Sequence, residues 1–204
     1  MTTQVMVELV KKHHPQLSET EIVSLLNRAK NRFCEETDIL KETDTSLTTT
    51  ASTLGYTLPT GTLKVYDVYV DTDRAVRVVG RPKVGDGNGL SSGIYYYWIE
   101  NGTIYICTGG ASTAYVDAGL AIVVYRSYLD ADITADGEAH TMELPSRYHE
   151  ALVDWAIARG YKQPPVNTEN AIFFDKNYKI TLKEAIKNAR SDKRDYGIIK
   201  PYDY

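Results

Sequence analysis

The sequence predicts an α+β protein in which helices flank a β-rich middle. Two patterns indicate this: apolar residues recur at helical spacing near both ends of the 204-residue chain, and the middle is rich in Val and Tyr with near-alternating polarity. The composition, 43% hydrophobic and 25% charged, is ordinary for a folded protein. We expect one helical bundle from residues 1–45 and 145–190, with an antiparallel β-sheet or sandwich subdomain inserted over residues 54–144.

Two helices are predicted at the N-terminal end. Residues 4–14 form a short amphipathic pattern through Val5, Met6, Leu9 and Val10, which ends near His13, His14 and Pro15. Ser18 stands three residues before Glu21, the spacing of a capping box, and opens a longer helix. Its apolar stripe is Ile22, Leu25, Leu26, Ala29, Phe33 and Leu40. After Glu42 the helical spacing stops, and the polar run through Thr53 predicts a loop or an irregular edge.

Four to six strands are predicted in the middle of the chain. Residues 63–79 read as two strands around the polar turn Asp71-Thr72-Asp73. The Gly-rich stretch 83–92 reads as a mobile loop. Asn101-Gly102 then separates two strand patterns, and this dipeptide favours a type I′ hairpin because both of its positions need positive φ. Residues 118–127 are apolar enough to predict one further, central strand.

Two helices and a terminal arm are predicted after Leu144-Pro145. Ser146 can cap a helix that carries Tyr148, Leu152, Trp155 and Ala156 and ends near Gly160. Asn167 or Thr168 caps the last helix, whose stripe is Ala171, Phe174, Tyr178, Leu182, Ala185 and Ala189. Residues 191–204 lack this pattern but contain three Tyr and the pair Ile198-Ile199. They read either as a frayed terminus or as an arm that orders on a partner.

Charge and cysteine content exclude several classes of protein. The formal net charge of -4 argues against nucleic-acid affinity driven by phosphate neutralisation. Cys34 and Cys107 are too few for a disulfide framework and have no metal-ligand spacing, which favours a reducing compartment. No apolar run approaches transmembrane length, and a signal-peptide pattern is missing from the N-terminus. We expect a protein that is made in cytoplasm, without a membrane role.

No motif predicts an enzyme, a metal site or a cofactor. His13 and His14 suit the negative end of a helix, His149 can complete a cap region, and His140 lies in a polar turn. None of them has a metal-pair spacing. The acidic run 130–138 has Thr134 and Ala135 where a calcium loop needs a ligand and Gly, so a solvated turn is the better interpretation. The glycines of residues 85–89 lack the Lys-Ser/Thr of a phosphate-binding loop.

Aromatic residues are the most suggestive local feature, since 16 residues are Tyr and four aromatics are consecutive over residues 95–98. At period two, Tyr95 and Tyr97 share one face of a strand while Tyr96 and Trp98 share the other. One set can fill a core and the other can cover a subunit contact, for which Tyr95, Tyr97 and Trp98 are the candidates. The alternative is stacking of these rings on sugars or unpaired bases.

Five segments in order carry a resemblance to a known family. They are ETEIVSLLNRAKNRFCEETDIL, LPTGTLKVYDVYVD, YYYWIENGTIYICTGG, GLAIVVYRSYLDADIT and MELPSRYHEALVDWAIARGYK. Together they resemble the head-to-tail connector (adaptor) proteins of tailed bacteriophages over nearly all of the chain. The most specific part is Leu144-Pro145 with the helix after it, and the helix from Ala171 to Leu182 looks like that family's closing helix. The Gly-rich loop and the Tyr-heavy hairpin depart from the family pattern.

The resemblance implies a structural virion protein without catalysis. Such subunits form a ring, typically a dodecamer, that docks beneath the portal protein, extends the DNA channel and joins capsid to tail or to a further neck protein. Double-stranded DNA passes without sequence-specific binding. The implied location is the virion neck, after synthesis in the host cytoplasm. A terminal arm commonly reaches a neighbour or the portal, and here its anchors are Tyr196, Ile198, Ile199, Tyr202 and Tyr204. The alternative is a carbohydrate- or receptor-binding β module of a phage tail.

Overall fold

A computed structural model describes residues 1–79, 90–109, 115–134 and 142–195, with side chains through Arg190. The described residues form four helices and two sheets, which confirms the predicted α+β class. The chain divides into two compact units. The helical unit contains Met1–Leu40 and the described residues from Leu129 onward, and the β unit is Lys41–Tyr128.

The helical unit contains the two N-terminal and two C-terminal helices that the apolar spacing predicts. Their bounds are Thr3–His13 (α1), Glu19–Thr37 (α2), His149–Gly160 (α3) and Thr168–Asp195 (α4), with a 3₁₀ turn at Ser146–Tyr148 before α3. The capping box of α2 is confirmed: the Ser18 N–H donates to the Glu21 carboxylate at 2.8 Å, and the Glu21 N–H donates to Ser18 Oγ at 3.3 Å.

Three helix boundaries differ from prediction. Helix α2 ends at Thr37 rather than near Leu40, because Asp38 adopts a left-handed conformation (φ 52°) and donates its N–H to the Cys34 carbonyl. Ser146 makes no cap, since the chain enters α3 through the 3₁₀ turn. The start of α4 is as predicted, since Asn167 caps the helix by accepting from the Asn170 N–H at 3.1 Å. Helix α4 continues to Asp195, so the expected arm is helical over residues 191–195.

Buried stripes on the helices follow the predicted spacing with two exceptions. In α1 the buried residues are Met6, Val7 and Val10, whereas Val5 is exposed. Helix α3 contacts all three of the other helices and buries Leu152, Trp155 and Ala156 as expected. In α4, Phe174 is only half-buried and lies beside the His13 and Tyr161 rings. The core of the unit therefore lies around α3.

Residues 130–133 are bound to α2 by two polar side chains. The Lys30 side chain is fully buried, and its ammonium group donates to the carbonyl of Asp130 at 3.0 Å and to that of Ala131. Asn27 pairs with both backbone groups of Ile133, donating to its carbonyl at 2.9 Å and accepting from its N–H at 2.8 Å. The segment is therefore not the solvated turn that its acidic composition predicts. It is an irregular strip whose backbone groups find partners on a helix.

Burial has opposite effects on two ionisable groups of α2. It lowers the pKa of Lys30, against the attraction of the Asp130 and Asp132 carboxylates. It raises the pKa of the Cys34 thiol to about 11. The ammonium of Lys30 stays compatible with burial because two carbonyls and an Asp132 carboxylate oxygen at 3.7 Å surround it.

Two histidines are buried parts of the helical core. His14 follows α1, and its Nε2 donates to the Ile157 carbonyl at 2.9 Å while its ring lies edge-on to Tyr161. Its contacts are closest at Gly160, where an added Cβ would lie 2.4 Å from the imidazole. The ring nitrogens of His149 lie 2.7 Å from the Leu144 carbonyl and 3.0 Å from that of Met1. The sequence predicted positions at helix ends for these histidines, but it did not predict that both rings pack in the core.

The described residues of the β unit form two four-stranded sheets, more strands than the four to six predicted. Their orders are β1-β8-β3-β4 and β2-β7-β6-β5. All pairs are antiparallel except β5 with β6. The strands are Lys41–Thr48 (β1), Gly55–Thr57 (β2), Thr62–Val70 (β3), Asp73–Arg74 (β4), Val76–Arg77 (β5), Tyr95–Glu100 (β6), Thr103–Thr108 (β7) and Ala121–Tyr128 (β8).

The strand predictions succeed best where a turn or a buried run marks them. Strand β8 is central, between β1 and β3, as predicted. Asn101 and Gly102 have φ of 49° and 73°, which confirms the hairpin. The polar run expected as a loop or irregular edge is the edge strand β1, whose register shifts between Asp44 and Leu47. The strand expected after Asp73 divides at Ala75, since β4 pairs with β3 and β5 pairs with β6. Most of the loop predicted at 83–92 lies outside the described residues.

Replacing Asn27 with Ala should lower the free energy of unfolding by about 2 kcal/mol, because two backbone groups of Ile133 lose their partners at about 1 kcal/mol each. Chemical denaturation monitored by circular dichroism would measure the change. Ser24→Ala, on the exposed side of the same helix, is the control and should change stability by less than about 0.5 kcal/mol. Equal losses in the two variants would show that the Asn27 contacts add nothing.

Replacing Gly160 with Ala should destabilise the protein by about 1–3 kcal/mol, because the new methyl group would overlap the His14 ring. The sign should reverse in a His14→Ala background, where the ring is gone and Ala is the better helix former by about 1 kcal/mol. Melting temperatures of the four proteins in this double-mutant cycle test the contact. A Gly160→Ala effect that is the same in both backgrounds would contradict it.

Candidate interaction surfaces

The aromatic residues of β6 alternate between two apolar clusters, as period two predicts. Tyr97 lies in a core to which residues of both sheets contribute, and Tyr95 is partly buried against it. Tyr96 and Trp98 pack with Cys107 on the other face, where the indole stacks on the Tyr105 ring at 5.1 Å. Tyr97 and Trp98 are 2% and 3% exposed. They fill cores of this chain, so neither offers a free ring face for stacking on a sugar or a base.

The sequence also predicted a subunit contact at the hairpin aromatics and a binding arm at the C-terminal end. Tyr95 keeps a partly exposed ring, and a role for Tyr95, Tyr97 and Trp98 at a subunit contact stays a prediction. The arm residues Tyr196, Ile198, Ile199, Tyr202 and Tyr204 lie outside the described residues. His140 and residues 85–89 of the Gly-rich stretch lie outside them as well.

Helix α4 presents an apolar surface that the sequence analysis missed. Its predicted stripe is buried at Ala171, Tyr178, Leu182, Ala185 and Ala189. On the opposite side of the helix Ile172, Phe173 and Ile180 are 63%, 59% and 50% exposed. Phe173 and Ile180 are seven residues apart, two helical turns, and so share one face. That spacing is the signal that could have revealed them. We call the residues Ile172, Phe173, Lys176, Ile180, Lys183 and Lys187 the outer face of α4.

The outer face of α4 mixes apolar and basic side chains. Lys176, Lys183 and Lys187 are all exposed there. Lys179 instead pairs with Asp175 on its own helix at 2.7 Å, and this pairing lowers the pKa of the Asp175 carboxyl. Large exposed apolar side chains grouped on one face are typical of a surface that another protein covers. The lysine stems add apolar area to this face while their ammonium groups stay hydrated.

The ionisable groups with shifted pKa values do not converge on one place where chemistry could occur. Burial together with the nearby Glu150 carboxylate raises the pKa of Asp154 to about 6, and burial raises the pKa of Tyr178 to about 12. Both cysteines are buried free thiols whose pKa is raised, which disfavours the reactive thiolate. Within the described ranges no three His, Cys, Asp or Glu side chains are grouped so that they could hold a metal ion.

Comparison with known proteins agrees with a structural role. None of the described helices combines the length and the apolar character that a bilayer span needs. A search of curated proteins found no match. The family model described as "SU10 adaptor protein" matches residues 1–198, which covers both compact units. The chain therefore belongs to the SU10 adaptor protein family and is a bacteriophage head–tail adaptor, a structural protein of the virion.

Proposed function

We propose that this chain is a connector subunit that forms a ring of twelve copies beneath the portal, extends the DNA channel and joins the capsid to the tail. The observation that carries the ring is the outer face of α4, where three large apolar side chains are half exposed or more. A folded monomer seldom leaves such side chains together unless another surface covers them. Membership of an adaptor family supports contacts with portal and tail proteins.

The geometry of a closed ring fits a contact made by one helical face. A cyclic assembly uses heterologous contacts, in which one patch of each subunit meets a different patch of the next. The outer face of α4 supplies one such patch, and its lysines favour an acidic rim on the opposing copy. The net charge of -4 per chain leaves enough carboxylates for that rim.

We assign the remaining predicted contacts to the C-terminal arm and to the aromatic hairpin. The helical unit, a bundle in this proposal, and the β unit act as separate domains, with the β unit as the insertion. The arm after Asp195, with Tyr196, Ile198, Ile199, Tyr202 and Tyr204, binds the portal or a neighbouring copy. Of the hairpin aromatics, Tyr95 touches a neighbour because its ring is partly exposed, while Tyr97 and Trp98 support the strand from within.

Native mass spectrometry of the chain mixed with its portal protein tests the ring. The wild type should form a complex with twelve copies, whereas Phe173→Glu/Ile180→Glu should reduce ring formation at least tenfold, because two carboxylates then lie in the contact. Gln4→Glu/Thr20→Glu is the control, since it adds the same charge at exposed sites of α1 and α2. Failure of the wild type to bind the portal or to form any ring would overturn the proposal.

Deleting residues 196–204 should leave the melting temperature within about 2 °C of the wild type, because the loss of a terminal segment is generally well tolerated by a folded domain. Binding to the portal should weaken, since the apolar and aromatic anchors of the arm are lost. Surface plasmon resonance on immobilised portal measures the change. Unchanged binding would remove the arm from the proposal without touching the ring.

A further inference from the structure

A basic groove on the helical unit has no assigned role. It lies where α2 and α3 pack together and has a volume of about 550 Å³, within the range of ~300–1,000 Å³ typical of ligand sites. Its lining residues are Leu25, Arg28, Asn31, Arg32, Glu35, Trp155, Arg159 and Gln163. Three guanidinium groups and one carboxylate give the groove an excess of positive charge.

The three arginines are engaged to different degrees. Arg32 donates its Nε–H to Glu36 at 2.5 Å, one helical turn away on α2. The Arg159 guanidinium lies 4.8 Å from the centre of the Trp155 ring, a cation–π contact that orients it and leaves its N–H groups available. Arg28 is exposed, and neither it nor Arg159 forms an ion pair with any described residue. Arg28 therefore has no carboxylate partner among the described residues, and Arg159, which also attracts the Asp175 carboxylate through space, keeps N–H groups for an anion.

The groove also contains an apolar floor and an unused acceptor. Leu25 and Trp155 are both buried and supply the floor. Asn31 Oδ1 is buried without a hydrogen-bond donor among the described residues. A buried acceptor without a partner is unfavourable and is satisfied by an incoming N–H group. The ligand that matches this arrangement carries a carboxylate, an apolar group and a donor.

We propose that the groove binds an acidic segment of a protein partner. A Glu or Asp side chain of that segment pairs with Arg28 and Arg159, an apolar side chain rests on Leu25 and Trp155, and a backbone N–H donates to Asn31 Oδ1. A charge-assisted pair with a guanidinium is among the stronger hydrogen bonds in proteins. The proposal does not depend on the ring, because the groove and the outer face of α4 are formed by different residues.

The same features disfavour a nucleic acid in the groove. A phosphate backbone has no N–H group to offer Asn31. The Glu35 carboxylate lines the groove, and Glu36 already occupies Arg32, so the groove has room for few negative charges. A phosphate on every unit of a chain exceeds that number, whereas a carboxylate next to an apolar side chain does not. Extended phosphate binding also needs a broad basic surface, and this chain has a net charge of -4.

Fluorescence anisotropy of the full chain with a dye-labelled peptide of four glutamates and two leucines tests the proposal. The wild type should bind saturably, and the same peptide with glutamines should bind at least tenfold more weakly. Arg28→Gln/Arg159→Gln should weaken binding about tenfold or more, equivalent to one good charge-assisted contact. Lys11→Gln/Lys12→Gln removes the same charge from exposed positions of α1 and should change binding less than twofold.

Glu35→Gln should strengthen binding about threefold, because it removes a carboxylate that lines the groove. A misfolded variant could not give this gain, and circular dichroism of the arginine variants checks their fold separately. The proposal is overturned if the lysine control weakens binding as much as the arginine variant, or if the peptide fails to bind. It is also overturned if binding of the peptide does not depend on Arg28 while binding of a labelled 20-base-pair duplex, or self-association of the chain, does.

Discussion

The attachment of residues 130–133 to α2 is the constraint on which the helical unit depends. The chain leaves this unit after Leu40 and re-enters it at Leu129, so the returning segment has no neighbouring turn of helix to hold it. Its backbone groups at Asp130 and Ile133 lie in buried or partly buried positions, where a missing partner is costly. Asn27 and Lys30 supply those partners, one with an amide that matches a peptide unit and the other with an ammonium group that meets two carbonyls. A long insertion is tolerated because its return point is fixed in this way, and closing a longer loop adds little further entropy cost.

Local patterns predicted much of the secondary structure. The capping box at Ser18, the stripes of α2 and α4, the Asn101-Gly102 turn and the central position of β8 all follow from spacings within a few residues. Errors occur where the deciding partner is distant. Lys30 looks like an ordinary exposed lysine until Asp130, one hundred positions later, is beside it. Strand β1 is polar because it lies at a sheet edge, and an exposed edge has no apolar alternation to detect.

The working surfaces were harder to predict than the fold for a related reason. The helical spacing of apolar residues predicts a buried face of α4 that begins at Ala171, and the opposite face is then expected to be polar. Ile172, Phe173 and Ile180 depart from that expectation, and only exposure in the folded chain makes the departure visible. The groove between α2 and α3 was equally hard to predict, because the sequence does not distinguish Arg28 and Arg159 from other charged surface residues. The aromatic side chains of the hairpin, the most suggestive local feature of the sequence, mainly fill cores.

The crossing at Ala75 has a mechanical consequence. Strand β4 ends at Arg74 in one sheet and β5 begins at Val76 in the other, so one buried residue joins the two hydrogen-bonded ladders. No slack chain separates them. A shear force applied to either sheet is transmitted through that short link, and the sheets cannot slide past each other until the β3–β4 or β5–β6 hydrogen bonds break. The load that passes from one sheet to the other is therefore limited by two short ladders, each of two residue pairs, on either side of Ala75.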